Sequence, residues 1–359
     1  MSHVRIVRLF SVLVLAFWAS TVFASAITYA VGTCRPGLRS FHAISRALAA
    51  TPPADFVEVC PGTYRDQLQI THPVTLEGVS NGTSAQAIIA PPAGGLVINA
   101  MDDAGNPVAA QLWVNNASGP VNIIDLAVDG SGNGVLIGQT IVGIFYQNSS
   151  GTVNRVATRN QSGTVGGVGI WVEGGSSNPL VTIENSSVHD YDFEGLEVET
   201  NFAAPELTAV IKGNDVTTSV PFTTGILIGG GAVTVTSNLI VNAGSIGIFA
   251  TAGSAGSISA NTVVNAPDAG IIAGADGISV TSNNIFGSAT GIEFFMSVPR
   301  IQGNTITNSK VGIDFVCNPD PNVHSNIIND AGTALKLVPS AIATSNTYSN
   351  VGTIRTGGC

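Results

Sequence analysis

Three stretches in the second half of the chain repeat one pattern: SNLIVNAGSIGIFA (237–250), ANTVVNAPDAGIIA (260–273) and SNNIFGSATGIEFF (282–295). In each stretch an Asn stands second, and a Gly-Ile pair follows it after eight or nine residues. The stretches are too short, and too rich in Gly, Asn, Thr and Val, to form helical hairpins. The pattern therefore indicates a protein that uses one small unit many times.

Two markers extend this repeat over most of the chain. The first is a Gly, or once an Ala, followed by an aliphatic residue, with steps of 26, 26, 30, 22, 23, 21, 21 and 22 residues from Gly143 to Ala334. The second is an Asn followed closely by Val, Ile or Tyr, at Asn154, Asn185, Asn214, Asn238, Asn261, Asn283, Asn304, Asn326 and Asn346. Because two independent markers keep one period, we expect a solenoid in which equivalent segments lie over one another.

The repeated unit is typical of a coil of short strands. Its apolar residues alternate, as in Gly-Ile-Glu-Phe-Phe (291–295), and coils stacked about 4.8 Å apart pair each strand with its equivalents above and below. The Asn series predicts left-handed residues at tight bends whose amides bond to one another. We therefore predict an all-β fold, a single-stranded parallel β-helix with one buried aliphatic column made of Ile144, Ile170, Leu196, Ile226, Ile248, Ile271, Ile292, Ile313 and Leu335.

The region before the repeats predicts a cover for the open end of the stack. Residues 38–50 form an amphipathic helix in this prediction, and such a cap protects the end of a solenoid from aggregation. Followed by DFVEVCPGTYRD (55–66) and VTLEG (74–78), the helix resembles the opening of pectin-lyase-like right-handed β-helix proteins. This resemblance covers nearly the whole mature chain. It implies the right-handed fold but no single activity, because that superfamily includes lyases, hydrolases, esterases and adhesins. The apolar face of the predicted helix consists of Leu38, Phe41, Ile44 and Leu48.

The N-terminus predicts export. Residues 1–26 have the pattern of a signal peptide, since Arg5 and Arg8 precede an apolar run that ends at Ala-Ser-Ala. A retained membrane anchor is the alternative, but the run is short for a bilayer. We expect a secreted protein without a later membrane span, in which 27–66 supplies the cap helix and first strand and 67–359 continues the same domain as the β-helix.

Composition limits the partners. The formal net charge is -10 and only 10% of residues are charged, so no basic patch is available to hold a phosphate backbone. Nucleic acid is therefore excluded as a partner, and we expect a monomer that meets polysaccharide.

Four cysteines follow the signal, an even number in a compartment where disulfides persist. Three pairings are open. We favour Cys34 with Cys60 and Cys317 with Cys359, because each pair would staple one end of the chain. Metal ligation has no support from a Cys-x-x-Cys motif or a nearby His.

Two columns of side chains next to the aliphatic column are expected to point outward. On neighbouring coils they bring an aromatic face beside three carboxylates, and sugars stack on rings while their hydroxyls bond to carboxylates. We assign substrate binding to Phe145, Trp171, His189 and Asp192, the last two from the preceding loop, and catalysis to Glu173, Glu197 and Glu199.

The chemistry of this grouping depends on the spacing of its carboxylates. Adjacent coils would hold Glu173 and Glu199 about 5 Å apart, close enough for one raised pKa and an acid and base pair, or for a bound Ca²⁺. No other cofactor is predicted. A solvated acidic surface without a role is the alternative interpretation.

Two functions follow from these observations. The first is a secreted solenoid that binds polysaccharide or serves at the cell surface without catalysis, and the second is a polysaccharide lyase or glycoside hydrolase. The chain departs from the enzymes that it resembles. It contains Asp102-Asp103 and Arg300-Ile301-Gln302, which are similar to parts of the polygalacturonase motifs, but it has no Gly-His-Gly. The candidate arginine bases of a pectate lyase, Arg155, Arg159 and Arg300, have no evident acidic partner in the sequence.

Overall fold

The computed structural model describes residues 26–53, 55–80, 86–134, 138–175, 178–200, 207–274, 277–295, 300–316, 322–338 and 343–357. The predicted signal, Cys317 and Cys359 lie outside these residues. Within the described part, no helix has the length and apolar character needed to cross a bilayer.

The first part of the chain contains its one described helix. The elements are β1 (Thr28–Val31), β2 (Arg39–Phe41), α1 (Ile44–Ala50), β3 (Asp55–Val59), β4 (Gly62–Arg65), β5 (Leu68–Ile70), β6 (Val74–Gly78), β7 (Ala87–Ala90), β8 (Ala100–Met101) and β9 (Pro107–Asn115).

Short strands make up the rest. They are β10 (Val121–Ile124), β11 (Leu126–Asp129), β12 (Thr140–Gln147), β13 (Gly151–Asn154), β14 (Ala157–Gln161), β15 (Gly166–Gly174), β16 (Leu180–Glu184), β17 (Ser187–Tyr191), β18 (Glu194–Thr200), β19 (Thr208–Lys212), β20 (Asp215–Thr217), β21 (Thr224–Gly229), β22 (Gly231–Thr236), β23 (Leu239–Val241), β24 (Ile246–Ala250), β25 (Ser254–Ser259), β26 (Thr262–Val264), β27 (Ala269–Ala273), β28 (Gly277–Thr281), β29 (Asn284–Phe286), β30 (Thr290–Phe295), β31 (Arg300–Gln302), β32 (Thr305–Val316), β33 (Val323–His324), β34 (Ile327–Lys336), β35 (Ala343–Thr344), β36 (Thr347–Ser349) and β37 (Thr353–Thr356).

These strands stack in parallel as three faces of a right-handed β-helix. Face A is the 14-stranded sheet from β2 and β1 to β35. Face B runs from β4 through β7, β11 and β14 to β36, and face C from β5 through β9, β12, β15 and β18 to β37. Faces B and C form one 23-stranded sheet because β32 and β34 extend through both.

The predicted aliphatic column is confirmed on face C. Each member pairs in register with the next, and all are fully buried. The preceding Gly is explained by backbone contact between coils: a Cβ at Gly247 would lie 2.5 Å from the carbonyl oxygen of Gly270. The Gly-aliphatic repeat therefore reflects one close approach made on every coil.

An amide ladder runs through the later coils. Asn261 is typical: its Nδ2 donates to Asn283 Oδ1 at 3.0 Å and to Val235 O at 3.0 Å, while its Oδ1 accepts from the backbone and side chain of Asn238. The predicted ladder is confirmed for Asn214, Asn238, Asn261, Asn283, Asn304, Asn326 and Asn346.

Two details of the Asn prediction are wrong. Asn154 lies two positions and Asn185 one position before the ladder, and Ser186 holds the ladder position before Asn214, with its backbone N–H bonded to Asn214 Oδ1. Asn185 does have the predicted left-handed conformation, with φ 51°. The left-handed residue is the one before each ladder Asn, such as Ala260 with φ 55°. The ladder side chain thus comes after the bend, where the chain turns its amide inward.

The capping helix is shorter than predicted. It spans Ile44–Ala50 and buries Ile44, Ala47 and Leu48 against the first coil. Residues 39–41 instead form β2, because their backbone pairs with the outer edge of β1. Phe41 packs edge-on against Tyr29 at 5.5 Å between ring centroids. The predicted disulfide between Cys34 and Cys60 is present, and it ties this cap to β3.

A hairpin interrupts the coils between β7 and β9. β8 pairs antiparallel with the start of β9, and Asp102 and Asn106 close the turn through two side-chain bonds. The side chain of Gln67 bonds to the backbone of Val97 through both its amide atoms and fixes the base of this excursion. The hairpin, residues 99–108, is the element that shapes the outer surface of face C.

Candidate functional site

The two predicted outward columns exist with the predicted register. Phe145 pairs with Trp171 and Trp171 with Glu197, while the second column runs from Gln147 through Glu173 to Glu199. Glu173 and Glu199 are therefore direct neighbours on adjacent coils. We call Glu173, Glu194, Glu197 and Glu199 the glutamate cluster, because Glu194 begins the same strand, β18.

The prediction that the aromatic side chains lie exposed is wrong. Phe145 is 0% and Trp171 4% exposed, because the hairpin closes over them. Their rings lie 4.8 Å apart and pack in a small apolar cluster with Ala100 and Val108 of the hairpin. These two residues therefore hold the hairpin against face C and do not offer a free ring to a ligand.

Glu173 fastens the other side of the hairpin. Its Oε1 accepts from the backbone N–H of Asp103 at 2.7 Å, and its Oε2 accepts from Gln147 Nε2 at 2.7 Å. The same Gln147 amide donates to Met101 O at 2.7 Å. Burial is the main cause that raises the pKa of Glu173 to about 7; the two hydrogen bonds oppose it, and the charges of Asp103 and Asp102 add to it.

The carboxyl groups of Glu197 and Glu199 form a hydrogen-bonded pair. Burial and the charges of Glu194 and Glu199 raise the pKa of Glu197 well above its ordinary value. Burial raises the pKa of Glu199 as well; the hydrogen bond from Glu197 opposes this shift, and the charges of Asp102 and Asp103 add to it. Glu197 is buried, whereas Glu199 faces solvent. Glu199 is thus the member of the pair that a ligand can reach.

Glu194 is the cluster residue that the sequence reasoning did not assign to catalysis. It is 5% exposed, and its Oε2 has no hydrogen-bond partner among the described residues. Burial, and then the charge of Glu199, raises its pKa to about 8. The sequence placed Glu194 in a loop before the strand. In a loop, the alternation of apolar residues does not predict which way a side chain points.

His189 and Asp192 lie apart from this chemistry. His189 is on β17 of face B and bonds to the neighbouring Asp190 at 2.7 Å. Asp192 accepts from the backbone N–H groups of Gly163 and Gly167 and so shapes the bend of the preceding coil. Both have a structural explanation, and their predicted substrate-binding role stays a prediction.

An open groove lies on the other side of the hairpin. Trp113, one coil before Phe145, is half-buried there, and its Nε1 donates to Gln147 Oε1 at 3.2 Å. The groove has a volume of about 510 Å³ and is lined by Ile98, Asn99, Ala100, Met101, Trp113, Asn115 and Gln147. Trp113 is therefore an accessible aromatic residue of this face, and it would have been found by extending the outward column by one coil.

The outward column continues from Glu199 toward the C-terminus, and we call this stretch of surface the trough. Its residues Leu227, Phe249 and Ile272 are half-buried and follow Glu197 coil by coil. A Cβ at Gly229 would lie 3.2 Å from Cγ of Glu199, so the missing side chain lets Glu199 lean toward the trough. At the far end stand Glu293 and then Asp314, which bonds to Lys336 at 2.7 Å.

The arginines have partners that the sequence did not reveal. Arg155 holds Asp125 through two bonds of 2.6 Å, and Arg159 bonds to Asp129 at 2.8 Å. Each pair joins neighbouring coils at residues 30 apart, which no local pattern indicates. The acidic partners of Arg155 and Arg159 therefore become evident only in the structure.

A family model described as "Right handed beta helix region" matches residues 224–358. The chain is a right-handed parallel β-helix with the pectin-lyase-like fold. The match covers the regular coils, and the described strands continue the same stacking upstream to the cap.

Solved structures with the β-helix fold resemble this chain at low identity. One is a lacto-N-biosidase from Eubacterium ramulus, with 10% identity, a TM-score of 0.57, and coverage of 92% of this chain and 68% of that one. Another is the catalytic domain of an α-1,3-glucanase in complex with nigerose, with 13% identity, a TM-score of 0.56, and coverage of 88% and 64%. The same type of domain with tetrasaccharides gives a TM-score of 0.52 at 13% identity, again covering 88% and 64%.

The similarity to these structures is a similarity of fold. The chain spans about two thirds of the length of those structures. No curated protein matches the chain. Within the described residues no group of three or more His, Cys, Asp or Glu side chains is arranged to hold a metal ion. The predicted Ca²⁺ at Glu173 and Glu199 stays a prediction.

Proposed function

We propose that this protein is a secreted enzyme that cleaves glycosidic bonds on the outer surface of face C, with Glu197 and Glu199 as its acid pair. The observation that carries the proposal is the arrangement of three acids on one surface: Glu197 is buried, Glu199 two residues later faces solvent, and Glu173 pairs with Glu199 across adjacent coils. Perturbed carboxyl groups beside an open surface are typical of acid and base catalysts.

The reaction that fits is hydrolysis. The proton that Glu197 holds would pass to Glu199 through their hydrogen bond, and Glu199 would deliver it to the glycosidic oxygen as the bond to the anomeric carbon breaks. Water would add to the anomeric carbon and lose its proton to a carboxylate. Asp102 and Asp103 are the candidates for that base, because their charges act on Glu199 from the hairpin.

Burial around the pair supports this role. Taking Glu173, Glu194 and Glu197 out of water is costly, and no Lys or Arg ion pair offsets the cost at any of the three in the described part of the chain. Costly buried carboxyl groups commonly mark functional sites rather than structural ones. The similar solved structures include glycan-cleaving enzymes, which agrees with the proposal at the level of the fold.

The test is release of new sugar ends from a panel of polysaccharides. Wild-type protein should cleave at least one of them, and Glu199→Gln and Glu197→Gln should each lower the rate at least about a hundredfold. Glu184→Gln is the matched control, because Glu184 is a half-buried carboxylate on face A, away from the pair. Full activity in Glu199→Gln would remove the proposed acid.

A non-catalytic glycan-binding role is the second candidate. The half-exposed ring of Trp113, with the amides of Asn115 and Gln147 beside it, favours this role because it can hold a sugar without any carboxylate. This function predicts binding that Trp113→Ala abolishes and Glu199→Gln leaves intact, with no cleavage by the wild-type protein. Equilibrium binding to the same panel distinguishes the two functions.

Export rests on the N-terminal signal and agrees with the disulfide between Cys34 and Cys60, since such bonds persist in oxidising compartments. The full-length chain expressed with an export pathway should appear outside the cytoplasm, with a new N-terminus close to Ile27. An uncleaved chain retained in the membrane would contradict this.

A further inference from the structure

The glutamate cluster has an uncompensated negative charge. None of its four members forms an ion pair with a Lys or Arg in the described ranges; the pairs found there join Arg35, Arg155, Arg159 and Lys336 to other acids. The hairpin adds the charges of Asp102 and Asp103, which act on Glu173 and Glu199. A ligand that meets Glu199 therefore enters a strongly negative field.

One carboxylate oxygen of the cluster has no partner. Glu194 is 5% exposed, and its Oε2 is buried without a hydrogen bond in the described part of the molecule. An unsatisfied buried acceptor is costly and commonly marks a place where a donor binds. The donor that suits a carboxylate among carboxylates is positively charged, because only a cation also relieves their mutual repulsion.

The trough next to Glu199 gives the ligand a shape. Leu227, Phe249 and Ile272 form an apolar strip that separates two acidic ends. Glu197 and Glu293 are four coils apart along this column, or roughly 19 Å at about 4.8 Å a coil. The far end differs from the near one, because Asp314 there is paired with Lys336 at 2.7 Å.

We propose that the trough takes a linear glycan that carries protonated amino groups, that is, a polymer of deacetylated amino sugars. This substrate class rests on the proposed function of the same site. The apolar strip would contact the C–H faces of successive sugar rings, and an ammonium group would supply the charged donor that the cluster lacks. A polyuronate would bring its carboxylates against Glu199 and the two aspartates of the hairpin and be repelled.

Binding of such a ligand has a signature that other glycans lack. Burial and neighbouring negative charges raise the pKa of Glu194 to about 8 and favour the protonated form of Glu197. An ammonium group nearby favours their ionised forms, so binding releases protons into the buffer. A neutral glycan in the same trough carries no ammonium group and therefore releases no protons in this way.

The experiment is calorimetric titration of the whole mature protein with three oligosaccharides of equal length, in two buffers of different ionisation enthalpy. The ligands are oligomers of glucosamine, of N-acetylglucosamine and of galacturonic acid. We expect the glucosamine oligomer to bind at least about tenfold more tightly than its N-acetylated counterpart, to release protons, and to weaken as salt is added. The galacturonic acid oligomer should not bind measurably.

Two variants test whether glucosamine binding and proton release depend on Glu194. Glu194→Gln should weaken glucosamine binding about fivefold or more and reduce proton release, with N-acetylglucosamine binding unchanged, whereas Glu184→Gln should alter neither. Thermal unfolding verifies that each variant is folded. If the N-acetylated or galacturonic acid oligomer binds as well as the amine, the charge argument is wrong while the proposed function stands. If none of the three binds and no polysaccharide is cleaved, both proposals fail.

Discussion

The coils before residue 207 and those after it differ in length, in their buried hydrogen bonds and in what covers face C. After residue 207 the steps between equivalent glycines shorten to 21–23 residues, and each coil places an Asn in the buried ladder. Before it the steps are 26–30 residues, the ladder is absent from the described coils apart from Ser186, and a hairpin covers face C. Among the described residues, the buried glutamates belong to this earlier half.

This contrast separates stability from function along one chain. Asn amides satisfy one another and the backbone on every later coil, so that half is regular and well compensated. The earlier half buries Glu173, Glu194 and Glu197 without cationic partners in the described residues. Local features that cost stability are expected where a protein does its chemistry.

The largest effect should come from breaking the ladder. Asn261→Ala removes a side chain that bonds to Asn238, Asn283 and Val235 O, and it leaves buried donors and acceptors unpaired on both neighbouring coils. We expect a loss of about 4 kcal/mol in the free energy of unfolding, measured by chemical denaturation. Asn284→Ala, at an exposed position, should change it by less than about 0.5 kcal/mol. Equal effects at the two positions would contradict the structural role of the ladder.

The cap at the other end should depend on its disulfide. Replacing Cys34 and Cys60 together by Ser frees a segment closed over 26 residues, which is worth about 3 kcal/mol in the chain-entropy estimate. Hydrogen exchange should accelerate in β1 to β3 and the helix while the ladder coils keep their protection. Thr33→Ala, an exposed neighbour, is the control. Uniform loss of protection along the chain would mean that the two halves unfold as one unit.

Because of the glutamate cluster, the free energy of unfolding should decrease as the pH increases. The pKa of Glu194 rises from 4.5 to about 8 on folding, so its contribution is complete below about pH 4.5 and is lost as the pH increases through 8. Wild-type protein should lose on the order of 2 kcal/mol between pH 5 and pH 9, and Glu194→Gln should lose less. Glu184→Gln should keep the wild-type slope. Stability that increases over this range would contradict the burial of these acids.

The smallest effect should come from loosening the hairpin. Gln147→Ala removes bonds to Met101 O, Glu173 and Trp113, which we expect to cost about 1 kcal/mol locally. Trp113 and Trp171 are the tryptophans downstream of the signal, so fluorescence quenching in a Trp113→Phe background reports on Trp171 alone. Quenching of Trp171 by a polar solute should increase in Gln147→Ala. Unchanged quenching would show that the apolar cluster holds the hairpin without this amide.

The sequence predicted the regular half well because its signals are local and periodic. Each Gly-aliphatic step recurs where a coil must approach the next, and each ladder Asn recurs with it, so Ile248 and Asn261 could be placed from spacing alone. The position of the left-handed residue, one before the Asn, was missed because Asn and Ser both tolerate that conformation.

The site was predicted less completely. Alternation gave the register of Trp171, Glu173, Glu197 and Glu199, which the structure has. It could not give the burial of Trp171 and Glu173, because the hairpin that contacts them comes from residues 99–108, two coils upstream. The helix prediction for residues 38–50 was too long for a similar reason: pairing with β1 overrides helical periodicity at Arg39 to Phe41.

The sequence by itself determined the coil, its period, its buried aliphatic and amide columns and the disulfide at its start, because each depends on residues that repeat or lie close along the chain. Only the tertiary structure decided which carboxyl groups are buried, which one faces solvent and which arginines form ion pairs. Those properties depend on segments from different coils that meet in space, and the desolvation that sets a pKa exists only after they meet.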